Sequence, residues 1–284
     1  WLPLSSIRDI MKINESCGVV LSRSPEQTHE MLKRSKNRGK ESTGISVKTP
    51  DGIDTIKWKG EAKRFSAEEV IKRLYGSGYP EIEKKIISVS GHTRYSTYGS
   101  KDLKGAHPHY TKPAYEKIYE DWMIARGSRK SLVHNGNVPD IDRYLNGIGL
   151  HEAKSLETDS EKLLAIYDRF GQRRLMNTIP GSYCLVILDS DSDESLVIRD
   201  RFGFKPLWYG IQRHPGKKSR QLAASEDNAI TEAGGMPIEI INPGECRHIY
   251  DNGGYNAEQV VDAFPKRCMF EFQYFSMWRS HFEG

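Results

Sequence analysis

The feature that most constrains the fold is the way short apolar runs follow one another along the chain. The runs Tyr183–Leu188 and Ser195–Ile198 are separated only by the polar cluster Asp189–Asp193, which is typical of a turn and predicts a β-hairpin. Ile86–Val89 and Ile238–Ile241 have the same strand-like composition. Because strands come in neighbouring groups and do not alternate strictly with helices, the pattern favours an α+β protein of layered sheets over a doubly wound parallel sheet.

Helix starts are marked by capping residues, and helix ends by glycine. The signals are Ser24 with Pro25 and a stop at Gly39, Ser66 with Glu69 and a stop at Gly76, and Thr158 with Glu161 and a stop at Gly171. The stretch from about Lys101 to Lys130 is polar and aperiodic, which predicts a long loop or surface insertion. With no Pro/Ser-rich linker in the sequence, we expect one domain.

Composition excludes several classes of protein. The 284 residues carry a net charge of +4 with both signs interleaved, which argues against a nucleic-acid partner. No apolar run approaches the ~20 residues of a membrane span. The four cysteines include no CxxC pair, so neither a disulfide framework nor a zinc site is expected. These features indicate a cytoplasmic protein of a reducing compartment, without metal or other cofactor.

Among the cysteines, one has a distinctive context. Cys184 lies inside an apolar run and is expected in the core, Cys246 opens a strand-like run, and Cys268 has no clear role. Cys17 follows a polar segment and precedes Gly18 and an apolar run, so it would begin a strand. By itself this context fits a structural thiol as well as a nucleophile.

Three further positions can carry chemistry, each with a simpler alternative. Arg94, in the segment after the Ile86–Ser90 strand, can clamp a carboxylate with its guanidinium fork or form a salt bridge in a loop. Asn135 and Gly136 can supply an oxyanion hole or a simple turn. Asp159 can bind a cation or merely complement the dipole of the helix that Thr158 caps.

Taken together, these motifs occur in a recognisable order. They are Cys17–Val20, Arg38–Ile45, Gly91–Gly99, Val133–Asn137, Glu157–Glu161 and Arg199–Leu207, followed by Ser225–Glu226, Pro243–Glu245 and Cys268–Phe275. In this order the chain resembles the class II (N-terminal-nucleophile) glutamine amidotransferases, and most of all the glutaminase half of the amidophosphoribosyltransferases. The resemblance extends from about Asn14 to about Phe275.

The resemblance implies a four-layer αββα sandwich and a role for each candidate residue. Cys17 would be the nucleophile, with its own α-amine as the base, and Asn135 and Gly136 would hold the oxyanion. Arg94 would bind the α-carboxylate of L-glutamine, and Asp159 its α-ammonium. The products would be glutamate and ammonia, the latter passed to a synthase domain or subunit, most similar to the purine-biosynthetic phosphoribosyltransferases. A homo-oligomer is compatible with the resemblance.

Three departures from the family pattern concern the ends and the middle of the chain. Residues 1–16 precede Cys17, so we expect them to be a leader whose cleavage after Ser16 creates the active terminus of a glutaminase domain spanning 17–284. No acidic diphosphate-binding loop is found, so the synthase reaction is expected elsewhere. The Lys101–Lys130 region is longer than expected.

Alternatives to this hypothesis remain open. The same domain could serve glutamate synthase, glucosamine-phosphate synthase or asparagine synthetase, and Arg199–Leu207 also resembles a segment of the last. Related acylases cleave other amides, although Arg94 and Asp159 together suit a free amino acid. A catalytically silent regulatory or assembly subunit would keep the fold with Cys17 never exposed.

Overall fold

The computed structural model of the chain describes residues 17–95, 102–213, 215–216 and 218–266. Within these ranges the strands form two antiparallel sheets, one of nine strands in the order β13-β11-β12-β1-β4-β2-β3-β7-β6 and one of six in the order β15-β14-β10-β9-β8-β5. The strands are β1 Gly18–Ser22, β2 Ser42–Thr49, β3 Gly52–Lys59, β4 Ser88–Arg94, β5 His109–Tyr110, β6 Tyr115–Ile118, β7 Trp122–Ser128, β8 Lys130–Asn137, β9 Ser182–Asp189, β10 Glu194–Arg199, β11 Trp208–Gln212, β12 Arg220–Ala224, β13 Met236–Ile240, β14 Glu245–Tyr250 and β15 Tyr255–Gln259.

Helices cover the outer faces of both sheets. They are α1 Pro25–Arg34, α2 Ala67–Tyr75, α3 Tyr79–Glu83, α4 Ile141–Gly147, α5 Asp159–Thr178 and α6 Asp227–Glu232, with short 3-10 turns at Ser35–Arg38, Ala62–Arg64, Gly76–Gly78 and His151–Ser155. None of the described helices is both long enough and apolar enough to cross a membrane.

Three apolar clusters hold the layers together. One packs α1, α2 and α6 against the nine-stranded sheet, around residues such as Met31 and Trp58. A second packs α4 and α5 against the six-stranded sheet. The third lies between the sheets and joins Val19 and Leu21 of β1 to Val186 of β9. Because a two-faced sheet must bury both faces, the result is helix, sheet, sheet, helix, which confirms the predicted αββα sandwich.

Local signals in the sequence are largely confirmed. β9 and β10 form the predicted hairpin, and Ser66 and Thr158 cap their helices in reciprocal capping boxes. Gly171 adopts φ 76°, ψ 175° and breaks the helical geometry of α5, but the helix resumes beyond it to Thr178. The first helix ends at Arg34 and is followed by the 3-10 turn before Gly39.

The prediction of a long loop or insertion at Lys101–Lys130 was wrong in part, because three strands form within it. β5, β6 and β7 lie in this region and account for 13 of its residues, and the last two extend the nine-stranded sheet beyond β3. β6 is an edge strand whose four residues are all exposed, so its sequence need not carry an apolar run. The strand predicted at Ile86–Val89 starts and ends later in the structure, because β4 spans Ser88–Arg94 and includes Arg94.

Candidate active site

Cys17 directly precedes β1, one residue before the strand that it was predicted to begin, and is buried. Its neighbour Gly18 leaves no room for a side chain, since a Cβ there would lie 2.7 Å from Thr93 Oγ1 and 2.8 Å from Ser35 Cβ. The backbone nitrogen of Cys17 donates a hydrogen bond of 3.0 Å to Asn135 Oδ1. The first strand of one sheet is therefore tied to a side chain of the other.

Asn135 and Gly136 lie in strand β8, so the turn reading of this dipeptide was wrong. Asn135 is completely buried, and its Nδ2 has no hydrogen-bond partner among the described residues. A buried amide donor without a partner is costly unless a ligand uses it. Gly136 is sterically required, because a Cβ at this position would lie 2.0 Å from Ser182 O.

Arg94 is the last residue of β4, and the loop alternative proposed for it was wrong. In the β1–β4 register Gly18 lies opposite Thr93, which places Arg94 at the same end of the sheet as Cys17. Its backbone is covered by the chain at Gly39, where a Cβ would lie 2.4 Å from Arg94 C. The Arg94 side chain is buried as well.

Asp159 is the first residue of α5, whose N-cap is Thr158. Its Oδ2 accepts a 3.0 Å hydrogen bond from Val138 N, just beyond the end of β8. Its Oδ1 accepts a bond of 3.2 Å from Ser160 Oγ. The carboxylate therefore connects the start of α5 to the strand that carries Asn135, which is more than the helix-dipole alternative requires.

A cluster of four buried histidines, His92, His107, His109 and His134, lies beside these residues. The ring centre of His107 is 4.1 Å from that of His92, 4.5 Å from that of His109 and 6.4 Å from that of His134. Burial lowers the pKa of His92 to about 3 and lowers the pKa of the other three. The nearby Arg94 charge lowers the pKa of His92 further. Because all four pKa values are lowered, the four rings are neutral at pH 7.

Lys57 is a second buried cation near Arg94. Burial lowers the pKa of Lys57 to about 7. Its Nζ lies 3.4 Å from Lys104 O and 4.7 Å from the centre of the Tyr110 ring. Because about half of these amines are uncharged at pH 7, Arg94 is the principal cation in this part of the molecule.

An ion pair buried near the start of β1 fixes the backbone around Cys17. Arg38 Nε donates to Glu226 Oε1 at 2.6 Å, and both side chains are almost inaccessible to solvent. Asn37 Nδ2 donates to the same oxygen at 2.7 Å. Next to Glu226, Ser225 Oγ accepts a 3.0 Å bond from Val19 N. The sequence motifs around Arg38 and Ser225 therefore meet at β1.

The other described cysteines are structural. Cys184 is completely buried in the layer between the sheets, as predicted. Cys246 lies in β14, and burial raises its pKa. Neither environment favours a thiolate. Cys268 and the motif 268–275 lie outside the described residues, as do residues 1–16.

The site brings together Cys17, Asn135, Gly136, Arg94 and Asp159 at one end of the two sheets. The histidine cluster and Lys57 were not anticipated from the sequence. A signal was present, because His92, His107, His109 and His134 fall within 43 positions of a chain that has nine histidines. Among the described residues, no group of three or more His, Cys, Asp or Glu side chains is arranged to hold a metal ion.

Comparison with known proteins gives the family. A family model described as a glutamine amidotransferase domain matches residues 114–260, more than half of the chain. The amidophosphoribosyltransferase of Methanothermobacter thermautotrophicus is 26% identical over 296 residues, covering 96% of this chain and 55% of the relative. The glutamine–fructose-6-phosphate aminotransferase of Halalkalibacterium halodurans is 27% identical over 61% of this chain and 27% of its own length.

Solved structures agree on the fold. The allosteric regulatory enzyme of purine biosynthesis superimposes with a TM-score of 0.71 at 22% identity, covering 93% of this chain and 54% of that one. The glutamine phosphoribosylpyrophosphate amidotransferase of B. subtilis gives a TM-score of 0.70 at 21% identity. The chain spans about half the length of these amidophosphoribosyltransferase relatives. It belongs to the glutamine amidotransferase domain family, of the class II type with the N-terminal-nucleophile fold.

Proposed function

We propose that the chain hydrolyses the side-chain amide of L-glutamine to glutamate and ammonia, with Cys17 as the nucleophile. The observation that carries the proposal is the contact between Cys17 and Asn135. The nitrogen of Cys17 lies 3.0 Å from Asn135 Oδ1, while the Nδ2 of the same amide has no partner among the described residues. A donor left unpaired beside a nucleophile suits the oxygen of a tetrahedral intermediate.

The reaction needs a base of suitable pKa close to the thiol. An α-amino group has a pKa of about 8 and can take the thiol proton near neutral pH. The thiolate then adds to the carbonyl carbon of the glutamine side-chain amide. The amide oxygen becomes an oxyanion, which Asn135 Nδ2 and Gly136 N–H would hold. The α-ammonium protonates the departing nitrogen, which leaves as ammonia. Water then hydrolyses the thioester and releases glutamate.

This chemistry requires a free α-amine at Cys17. While Ser16 is attached, the nitrogen of Cys17 belongs to a peptide bond and cannot act as a base. We therefore assign residues 1–16 as a leader and 17–284 as the glutaminase domain, with cleavage between Ser16 and Cys17. Asn135 Oδ1 would keep its contact with the new amine and orient it.

The charged ends of the substrate are assigned to Arg94 and Asp159. The guanidinium of Arg94 would take the α-carboxylate as a bidentate pair, and Asp159 would take the α-ammonium. Arg94 ends β4 and Asp159 begins α5, so the charges come from elements on the two sheets. Neutral histidines between them leave this charge pattern undisturbed.

The acceptor of the ammonia is assigned to a separate synthase domain or subunit. The similarity to amidophosphoribosyltransferase covers 96% of this chain, against 61% for glutamine–fructose-6-phosphate aminotransferase. This difference supports a phosphoribosyltransferase-type acceptor in purine biosynthesis. Copurification of the partner from the native source would identify it.

The decisive experiment determines the N-terminus and the glutaminase activity of the same protein sample. Intact mass and N-terminal sequencing of the active protein should show a chain beginning at Cys17, and glutamate release should follow. A glutamine-analogue electrophile should add one equivalent to this chain and none to Cys17→Ala. Full activity with residues 1–16 attached would overturn the processing step. A processed chain that neither labels nor hydrolyses glutamine would favour the silent-subunit alternative.

A further inference from the structure

Ser160 is the centre of a buried hydrogen-bond network next to the candidate site. Its Oγ lies 2.9 Å from His107 Nε2, 2.9 Å from His134 Nδ1 and 3.2 Å from Asp159 Oδ1. All three contacts are buried or half-buried, and Ser160 itself is 2% exposed. One hydroxyl therefore joins two imidazoles to the carboxylate assigned to the substrate ammonium.

We propose that Ser160, held by His107 and His134, is a positioning residue that fixes the Asp159 carboxylate for the α-ammonium of glutamine. The inference rests on the proposed function and adds to it residues that touch no substrate. Asp159 is then held at both oxygens, by Val138 N on Oδ2 and by Ser160 on Oδ1. A carboxylate fixed in this way presents its remaining lone pairs in one direction.

The proton count of the network determines its arrangement. A serine hydroxyl has one proton to donate and two lone pairs to accept with. A charge-assisted bond is the stronger one, so the proton goes to the Asp159 carboxylate. Both imidazoles must then donate to the Ser160 oxygen. His107 is therefore protonated at Nε2 and His134 at Nδ1.

The network also reaches the proposed oxyanion hole. His134 directly precedes Asn135 in β8, and its carbonyl oxygen lies 2.9 Å from His92 Nε2 on β4. The ring and the carbonyl of His134 are thus both held, one by α5 and one by the nine-stranded sheet. Ser160 is therefore connected both to Asp159 directly and, through His134, to Asn135.

Steady-state kinetics of the processed chain test the inference. Ser160→Ala removes a bond to a charged group, and we expect KM for glutamine to rise about tenfold with kcat within about threefold. Ser195→Ala is the matched control, because Ser195 also makes a buried serine contact, 2.8 Å to Ser88 Oγ, away from the site. It should leave both constants unchanged. An unchanged KM in Ser160→Ala would overturn the inference.

A conservative pair of variants separates hydrogen bonding from packing. His107→Gln keeps a donor near the Nε2 position, whereas His107→Phe keeps a ring without one. We expect His107→Gln to hold KM within about threefold of wild type, and His107→Phe to resemble Ser160→Ala. Equal effects of the two substitutions would contradict the positioning role.

Nitrogen-15 NMR of the histidine rings gives a readout independent of activity. The wild-type chain should show the Nε2-protonated form of His107 and the Nδ1-protonated form of His134, and Ser160→Ala should perturb both signals. The opposite tautomers would overturn the network. If the tautomers are as expected but wild type does not hydrolyse glutamine, the proposed function fails while the network stands.

Discussion

The backbone nitrogen of Cys17 and the side-chain oxygen of Asn135 lie 3.0 Å apart, although 118 positions separate them in the chain. Cys17 directly precedes β1 of the nine-stranded sheet, and Asn135 belongs to β8 of the six-stranded sheet. The hydrogen bond therefore crosses the layer between the sheets. Val19, Leu21 and Val186 pack in that layer and hold together the two sheets that carry the proposed nucleophile and the proposed oxyanion donor.

The first prediction concerns Asn135. Asn135→Ala removes the unpartnered amide donor, and we expect kcat for glutamine hydrolysis to fall by about 10²–10³ with a small change in KM. Asn137→Ala is the control, because Asn137 lies two positions further along the same strand and is exposed. Glutamate release measures both. A rise in KM at constant kcat would instead assign Asn135 to ground-state binding.

The second prediction concerns the shape of the Arg94 side chain. Arg94→Lys keeps the positive charge but loses the planar fork, so KM for glutamine should rise by about one to two orders of magnitude. Arg169→Lys, at an exposed position on α5, is the control and should change neither KM nor kcat for glutamine hydrolysis. Equal affinity for glutamine in Arg94→Lys and wild type would remove Arg94 from the substrate site.

The sequence predicted the layers better than it predicted their edges. The hairpin β9–β10 and the capped helices follow from local signals, since turn residues and capping boxes act over a few positions. Strand β6 was missed because an edge strand pairs with one neighbouring strand only. Its four exposed residues therefore carry no apolar pattern. Local composition cannot report such long-range pairing.

The residues of the candidate site were likewise identified only in part from the sequence. Cys17, Arg94, Asn135 and Asp159 were identified because their motifs occur in a family order, and their roles remain proposals. The histidine cluster was missed because three separate segments must converge to form it. They are β4, the stretch that leads into β5 with its first residue, and β8. Which non-adjacent strands come together depends on the sheet topology, and a local sequence pattern does not contain that information.

The third prediction concerns the buried pair of Arg38 and Glu226. Glu226→Gln leaves the Arg38 guanidinium buried without its counter-charge, so the free energy of unfolding should fall by about 3 kcal/mol. Glu81→Gln is the control, since the Glu81–Lys84 pair is highly exposed and should cost under about 0.5 kcal/mol. Chemical denaturation measures both. A loss below 1 kcal/mol in Glu226→Gln would show that solvent or another acceptor replaces the carboxylate.

The fourth prediction concerns acid stability. Burial lowers the pKa of His92 from 6.5 to about 3 in the folded chain. Between these values the unfolded chain binds more protons, so the free energy of unfolding decreases as pH falls from 6.5 towards 3. Three cations, Arg94, Lys57 and Lys205, face the cluster and oppose its protonation. Asp159 favours protonation of His134, and Glu161 favours protonation of Lys57.

A single substitution isolates the His92 contribution. His92→Gln keeps a side-chain donor for His134 O but cannot titrate, so the slope of unfolding free energy against pH should decrease by about 1.4 kcal/mol per pH unit between pH 4 and 6. His151→Gln, which removes an exposed imidazole, is the control substitution. Denaturant titrations at several pH values measure the slopes. Parallel curves for His92→Gln and wild type would mean that His92 takes up its proton in the folded chain as readily as in the unfolded one.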